Sequence, residues 1–104
     1  MFKNSAIPKP YSVTDSESGN IVLPITDAAV ELPFLKGSAY AIIQIQDNNV
    51  RYWLNGATPT AAVGFIANVG DKITLELGEL KQSIKFCNAT GGSNAKIAVQ
   101  YYNA

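Results

Sequence analysis

Arg51 and Trp53 stand two residues apart in Val50-Arg51-Tyr52-Trp53-Leu54, so period-two alternation sends both to one face of a strand. The other face then carries Val50, Tyr52 and Leu54, the natural core side. An outward Trp beside an Arg has the composition of a protein-interface anchor, and equally of a sugar-stacking platform. In a third arrangement Trp53 caps one end of the core and Arg51 stacks on it as a cation–π pair. Reactive chemistry is scarce by comparison. The 104 residues include no histidine, which removes the commonest general base and metal ligand. The single cysteine, Cys87, lies in the apolar run Ile84-Lys85-Phe86-Cys87 and reads as a buried inert thiol. It allows no internal disulfide and no thiolate cluster. The acidic residues fall mostly at turns or on wet strand faces, not as the facing pair a glycosidase needs. Asp15-Ser16-Glu17 and Asp47-Asn48-Asn49 offer oxygens to calcium but match no known loop spacing. No catalytic residue, metal or cofactor is expected.

These residues have to be positioned by strands. Period-two alternation recurs along the chain and helical periodicity does not. Strand-like segments fall at 21–25, 29–32, 40–46, 50–54, 63–68, 72–77, 83–89 and 96–102. Ile73, Leu75 and Leu77 alternate with Lys72, Thr74 and Glu76, and Ile97, Val99 and Tyr101 with Ala98, Gln100 and Tyr102. Ile73, Leu75, Ile84, Phe86, Ile97 and Val99 are therefore expected in the core. Tyr101-Tyr102 reads as strand packing. The segment 40–46 is apolar on both faces for most of its length, which places it centrally in a sheet. Turn chemistry separates the strands. Asp47-Asn48-Asn49 is expected to close a hairpin between the Tyr40 and Arg51 strands, and Gly91-Gly92-Ser93-Asn94 another between the Phe86 and Ile97 strands. Short strands at roughly ten-residue spacing indicate a sandwich or barrel.

Residues 1–19 differ from the rest. They are polar and broken by Pro8 and Pro10, and they read as an extended arm preceding a domain over 20–104. The segment Ala6-Ile7-Pro8-Lys9-Pro10-Tyr11 lacks the backbone donors of a core strand. An arm laid across a neighbouring subunit would bury Ile7 and Tyr11. The chain's 47% apolar and 15% charged residues suit one domain with a core of its own. Eight basic residues against eight acidic ones disfavour electrostatic capture of nucleic acid or an anionic membrane. A neutral, charge-poor surface also resists self-association weakly. The first residues lack the continuous apolar core of a signal peptide, and no apolar run is long enough to span a bilayer, so synthesis is expected to be intracellular. Asn88-Ala89-Thr90 matches the glycosylation sequon, which such a chain would not use.

One longer pattern remains. Val50-Arg51-Tyr52, Asn55-Gly56, Thr58-Pro59-Thr60, Gly64 and Gly70-Asp71 are followed by Ile84-Lys85-Phe86, Gly91-Gly92-Ser93 and Val99-Gln100-Tyr101-Tyr102. Over roughly residues 40–102 this resembles a family of small tailed-bacteriophage proteins regarded as virion structural components. Trp53 and Leu54-Asn55 stand where that family more often has polar residues. The resemblance implies a non-enzymatic virion protein, one that decorates or cements the capsid as a homo-oligomer, possibly a trimer, against the major capsid protein or another virion protein. Together these readings lead to an all-β fold, a single antiparallel β-sandwich, jelly-roll-like, with an extended N-terminal arm. Ile7, Tyr11, Arg51 and Trp53 are its expected interface residues. The alternative is a carbohydrate- or receptor-binding module of a phage tail or fibre.

Overall fold

A computed structural model describes residues 19–102 of the chain. Eight strands and one helical turn follow in order: β1 Asn20–Ile25, β2 Val30–Glu31, β3 Tyr40–Gln46, β4 Val50–Trp53, β5 Phe65–Ala67, β6 Lys72–Glu76, α1 Leu77–Leu80, β7 Lys85–Asn88 and β8 Ala95–Tyr102. They form two four-stranded antiparallel sheets, ordered β1-β8-β3-β6 and β2-β7-β4-β5. The pairings nest: β1 with β8, β2 with β7, β3 with β6, and β4 with β5. That nesting is the eight-stranded jelly roll, a long hairpin rolled over so that its two layers face each other. Ile7 and Tyr11 fall outside the described residues. Gly19 already joins the first sheet, where its carbonyl accepts from Tyr101 N at 2.8 Å.

The sandwich fills along the alternating positions. Ala41, Ile43 and Ile45 from β3, Ile97, Val99 and Tyr101 from β8, and Leu75 from β6 face Val50 and Phe86 of the opposite sheet, all buried. Five of the six residues expected in the core are fully buried, and Ile73 packs partly buried against them. As expected, β3 lies inside its sheet, between β8 and β6. Tyr101 has a polar task as well. Its hydroxyl donates to the carbonyl of Pro33, and burial of the ring pushes the phenol up to about 12. Replacing Tyr101 with Phe strips the Pro33 carbonyl of its donor and should cost about 1–2 kcal/mol in a urea melt. Because the folded phenol is raised, its contribution is intact below the ordinary tyrosine range and is lost as pH rises toward 12. The variant should show a shallower alkaline loss than the wild type.

Three expectations need correction. The 47–49 turn does not close a hairpin, because β3 and β4 belong to different sheets; nor does the 91–94 turn, which carries β7 of one sheet to β8 of the other. Alternation fixes which side of a strand faces the core, and that side is the same whether the chain returns within a sheet or crosses between sheets. Among consecutive strands only β4 and β5 are neighbours. Leu77 is 39% exposed and not a core residue. The strand ends at Glu76, where α1 begins, a helical turn the alternation did not reveal. Glu79 Oε1 accepts from Glu76 N at 2.8 Å, fixing the start of that turn, and Leu80 supplies its buried contact in Leu77's place.

Candidate functional site

Strand β4 carries the two residues that alternation aimed outward. Val50 is fully buried, and Tyr52 and Leu54 pack against the core, so Arg51 and Trp53 lie on the outer face of the second sheet. Both are half-buried, for different reasons. Arg51 reaches over the next loop, its Nε donating to Ala61 O at 3.2 Å and its Nη1 to Gly64 O at 2.9 Å. A guanidinium presents a planar fork of donors, which suits it to holding two carbonyls at once. Arg51 makes no cation–π pair with Trp53; it clamps a loop instead.

The clamped loop is well determined locally. Asn55 Oδ1 accepts from Ala57 N at 3.2 Å, an Asx turn of the kind Asn-Gly sequences favour. Thr60 and Val63 exchange backbone bonds of 2.9 and 3.2 Å around Ala61-Ala62. Gly64 has φ +135, and a Cβ there would meet Tyr52 O at 3.2 Å and Pro59 Cβ at 3.3 Å. At Gly56, φ +85, a Cβ would sit 2.8 Å from Gln82 O. Both glycines let backbone approach backbone where a side chain would collide. The loop therefore delivers β5 to the sheet in one position.

What it delivers is an apolar edge. Among the described residues β5 pairs with β4 alone, which leaves its other side an open sheet edge there. Phe65 is 50% and Ile66 51% exposed, with Val63 and Val69 exposed beside them. Phe65 links this edge to Trp53, ring centroids 5.2 Å apart and edge-on, and to Tyr52 at 5.7 Å. Ile66 stands directly across from Arg51 in the ladder. Phe65 stands across from Tyr52 and touches Trp53, while Ile66 lies on the other face with Arg51, so the two consecutive residues leave apolar surface on both sides of this edge. At three residues β5 is a short edge strand, which itself limits strand addition, but none of its side chains is charged or proline. The reading from residues alone found Arg51 and Trp53 but not Phe65 or Ile66. The available signal was Ala61-Ala62-Val63-Gly64-Phe65-Ile66-Ala67, apolar on both faces in so short a strand.

Little in the site is reactive. Cys87 lies across the ladder from Arg51, fully buried. Burial pushes its thiol up, Arg51 opposes that shift and Asp27 adds to it, leaving a thiol poorly suited to nucleophilic work. Two residues on from Trp53, the Asn55 side-chain oxygen is taken by Ala57 N. Among the described residues no group of three or more His, Cys, Asp or Glu side chains gathers to hold a metal. Asp47 instead pairs with Lys96 at 3.7 Å, Asn48 donates to Asn94 O at 2.7 Å, and Asn49 accepts from Val69 N at 2.9 Å. No described helix is long and apolar enough to cross a membrane. The sequon asparagine, Asn88, is buried with its amide bonded to Asp27 and Asn94, which closes it to modification in the folded chain. No protein-family model, curated protein or solved structure matches this chain.

Proposed function

We propose that the chain is a non-enzymatic structural protein of a bacteriophage particle, a decoration or cement protein that assembles as a homo-oligomer and binds the head, with the β4–β5 edge buried against protein in both contacts. One observation carries the protein–protein part of this reading. An edge open among the described residues exposes Phe65, Ile66, Val63 and Val69, with Trp53 in ring contact with Phe65. Jelly rolls serve as capsid domains and as lectins, so the fold is compatible with a virion role without establishing it. The placement in a virion rests on the resemblance carried by residues 40–102. A cement protein needs no catalytic group. It adds buried area across joints between capsid subunits, about 800 Å² per partner in a standard contact, repeated over the particle.

Sedimentation velocity tests the self-association. Wild type should sediment as a closed oligomer, and Ile66→Asp should shift it to monomer. A charge on that exposed position leaves the core untouched while opposing burial of the edge. Trp53→Ala should act in the same direction, losing the Phe65 ring contact, worth about 0.5–1.5 kcal/mol, together with the area the half-buried indole covers. A wild-type chain that sediments as monomer at all concentrations would remove self-association from the reading. An oligomer unaffected by either substitution would move the contact elsewhere.

A further inference from the structure

The opposite face of the molecule carries a second feature, unrelated to the β4–β5 edge. The outer surface of the first sheet holds a groove of about 450 Å³, within the range of roughly 300–1,000 Å³ typical of small-ligand sites. Sheet register builds it row by row. Gln100 of β8 stands between Asn20 of β1 and Ile42 of β3. One row on, Ala98 stands between Val22 and Gln44, with Lys72 beyond Gln44 on β6. Alanine in the middle of the central strand leaves the depression, and longer side chains on both flanks wall it.

Tyr102 closes one end. Its ring stacks on Tyr40 of the adjacent strand, centroids 4.8 Å apart and 7° from parallel. That separation matches the spacing of neighbouring strands, so the two rings stand side by side on the sheet. Tyr40 backs one face of Tyr102, and Tyr102, not Tyr40, lines the groove. The result is a fixed aromatic wall over an apolar floor of Val22, Ala98 and Ile42. Amides complete the lining. Gln46 Nε2 donates to Gln44 Oε1 at 3.2 Å, which leaves the N–H donors of Gln44 for a ligand. Asn20 and Gln100 make no side-chain hydrogen bond among the described residues. Each amide offers both donors and an acceptor. Lys72 is the one charge in the lining, and no carboxylate is present.

We propose that this groove binds a neutral saccharide of two or three sugar units. A pyranose has C–H groups on its faces and hydroxyls around its rim, each hydroxyl both donating and accepting. The Tyr102 ring fits the first, through C–H contacts with its face. The Asn20, Gln44 and Gln100 amides fit the second. A purely apolar ligand would bury these amides unpaired, at a cost, and an anionic polymer would find a single lysine in a chain of zero net charge.

The test is an amide NMR titration of the full chain with cellotetraose, maltotetraose and the N-acetylglucosamine tetramer, each to millimolar concentration. At least one sugar should shift the amides of β1, β3 and β8 around Ala98. Tyr102→Ala should weaken that binding about tenfold, and Ala98→Leu, which fills the floor while keeping an apolar residue, should abolish it. Trp53→Ala should leave it unchanged, which separates this site from the β4–β5 edge. The proposal is overturned if none of the three sugars shifts these amides or if Ala98→Leu binds as wild type. It is equally overturned if a peptide of residues 1–18 occupies the groove and the sugars do not.

Discussion

Phe86→Ala should destabilise the domain by about 3–5 kcal/mol, among the largest losses expected from a single truncation in it. Phe86 has no exposed surface and sits on β7 between Val30 of β2 and Tyr52 of β4. Its ring meets that of Tyr52 at 5.4 Å, an aromatic contact worth about 0.5–1.5 kcal/mol beyond the area buried. Tyr52 in turn leans on Phe65, so the cavity would open directly beneath the loop-and-edge surface. Against a total stability of about 5–15 kcal/mol, a loss of this size puts folding at risk. A urea melt with unchanged slope reads it out; a loss below about 1 kcal/mol would mean that the two sheets do not close over β7 as described.

Asn88→Ala should cost about 2–4 kcal/mol, unusual for a polar residue. Asn88 is buried, and each of its polar atoms is in use. Its Nδ2 donates to Asp27 Oδ1 at 2.7 Å and to Asn94 Oδ1 at 2.9 Å, and its Oδ1 accepts from Ala95 N at 3.0 Å. One side chain thus ties the turn after β1 to the crossing from β7 to β8. Removing it leaves the Ala95 N–H buried without a partner, the expensive half of a lost hydrogen bond. The network also has a pH signature. The Asn88 amide first, and the Gly92 N–H second, hold the Asp27 carboxyl below its ordinary 3.8. A lowered folded value means the contribution is present above about 3.8 and is lost as pH falls through the folded value. Acid melts of the wild type should therefore lose stability in that range, and Asn88→Ala should flatten the loss. An Asn88→Ala chain as stable as wild type, with the same acid profile, would contradict this account of the crossing.

The strands were legible in the sequence because burial of one face imposes period two. All eight segments correspond to strands, and the bounds of β3, 40–46, coincide. The sheet order was not legible from alternation. Ile45 and Val50 both face the core whether their strands are neighbours or belong to opposite layers, so alternation cannot tell the 47–49 and 91–94 crossings from hairpins. The outward placement of Arg51 and Trp53 followed from the same alternation. Arg51's partners did not, because the carbonyls of Ala61 and Gly64 are main-chain groups and carry no residue signature. The segment 61–67 is apolar on both faces, but nothing local marks it as an edge. The groove escaped notice for a related reason, since Ala98, Gln44 and Gln100 meet only through the pairing of β3 with β8.

Under the proposed function, the β4–β5 edge meets another protein of a phage particle. The most direct test is binding to phage heads that lack the chain, measured by co-sedimentation for wild type and Ile66→Asp. Ile66 is exposed and stands outside the core cluster, so the variant should melt within about 0.5 kcal/mol of wild type. The account predicts that wild type saturates the heads while Ile66→Asp, equally folded, binds at least about tenfold more weakly. Equal occupancy by the two proteins, or no binding of wild type to any head, would contradict it.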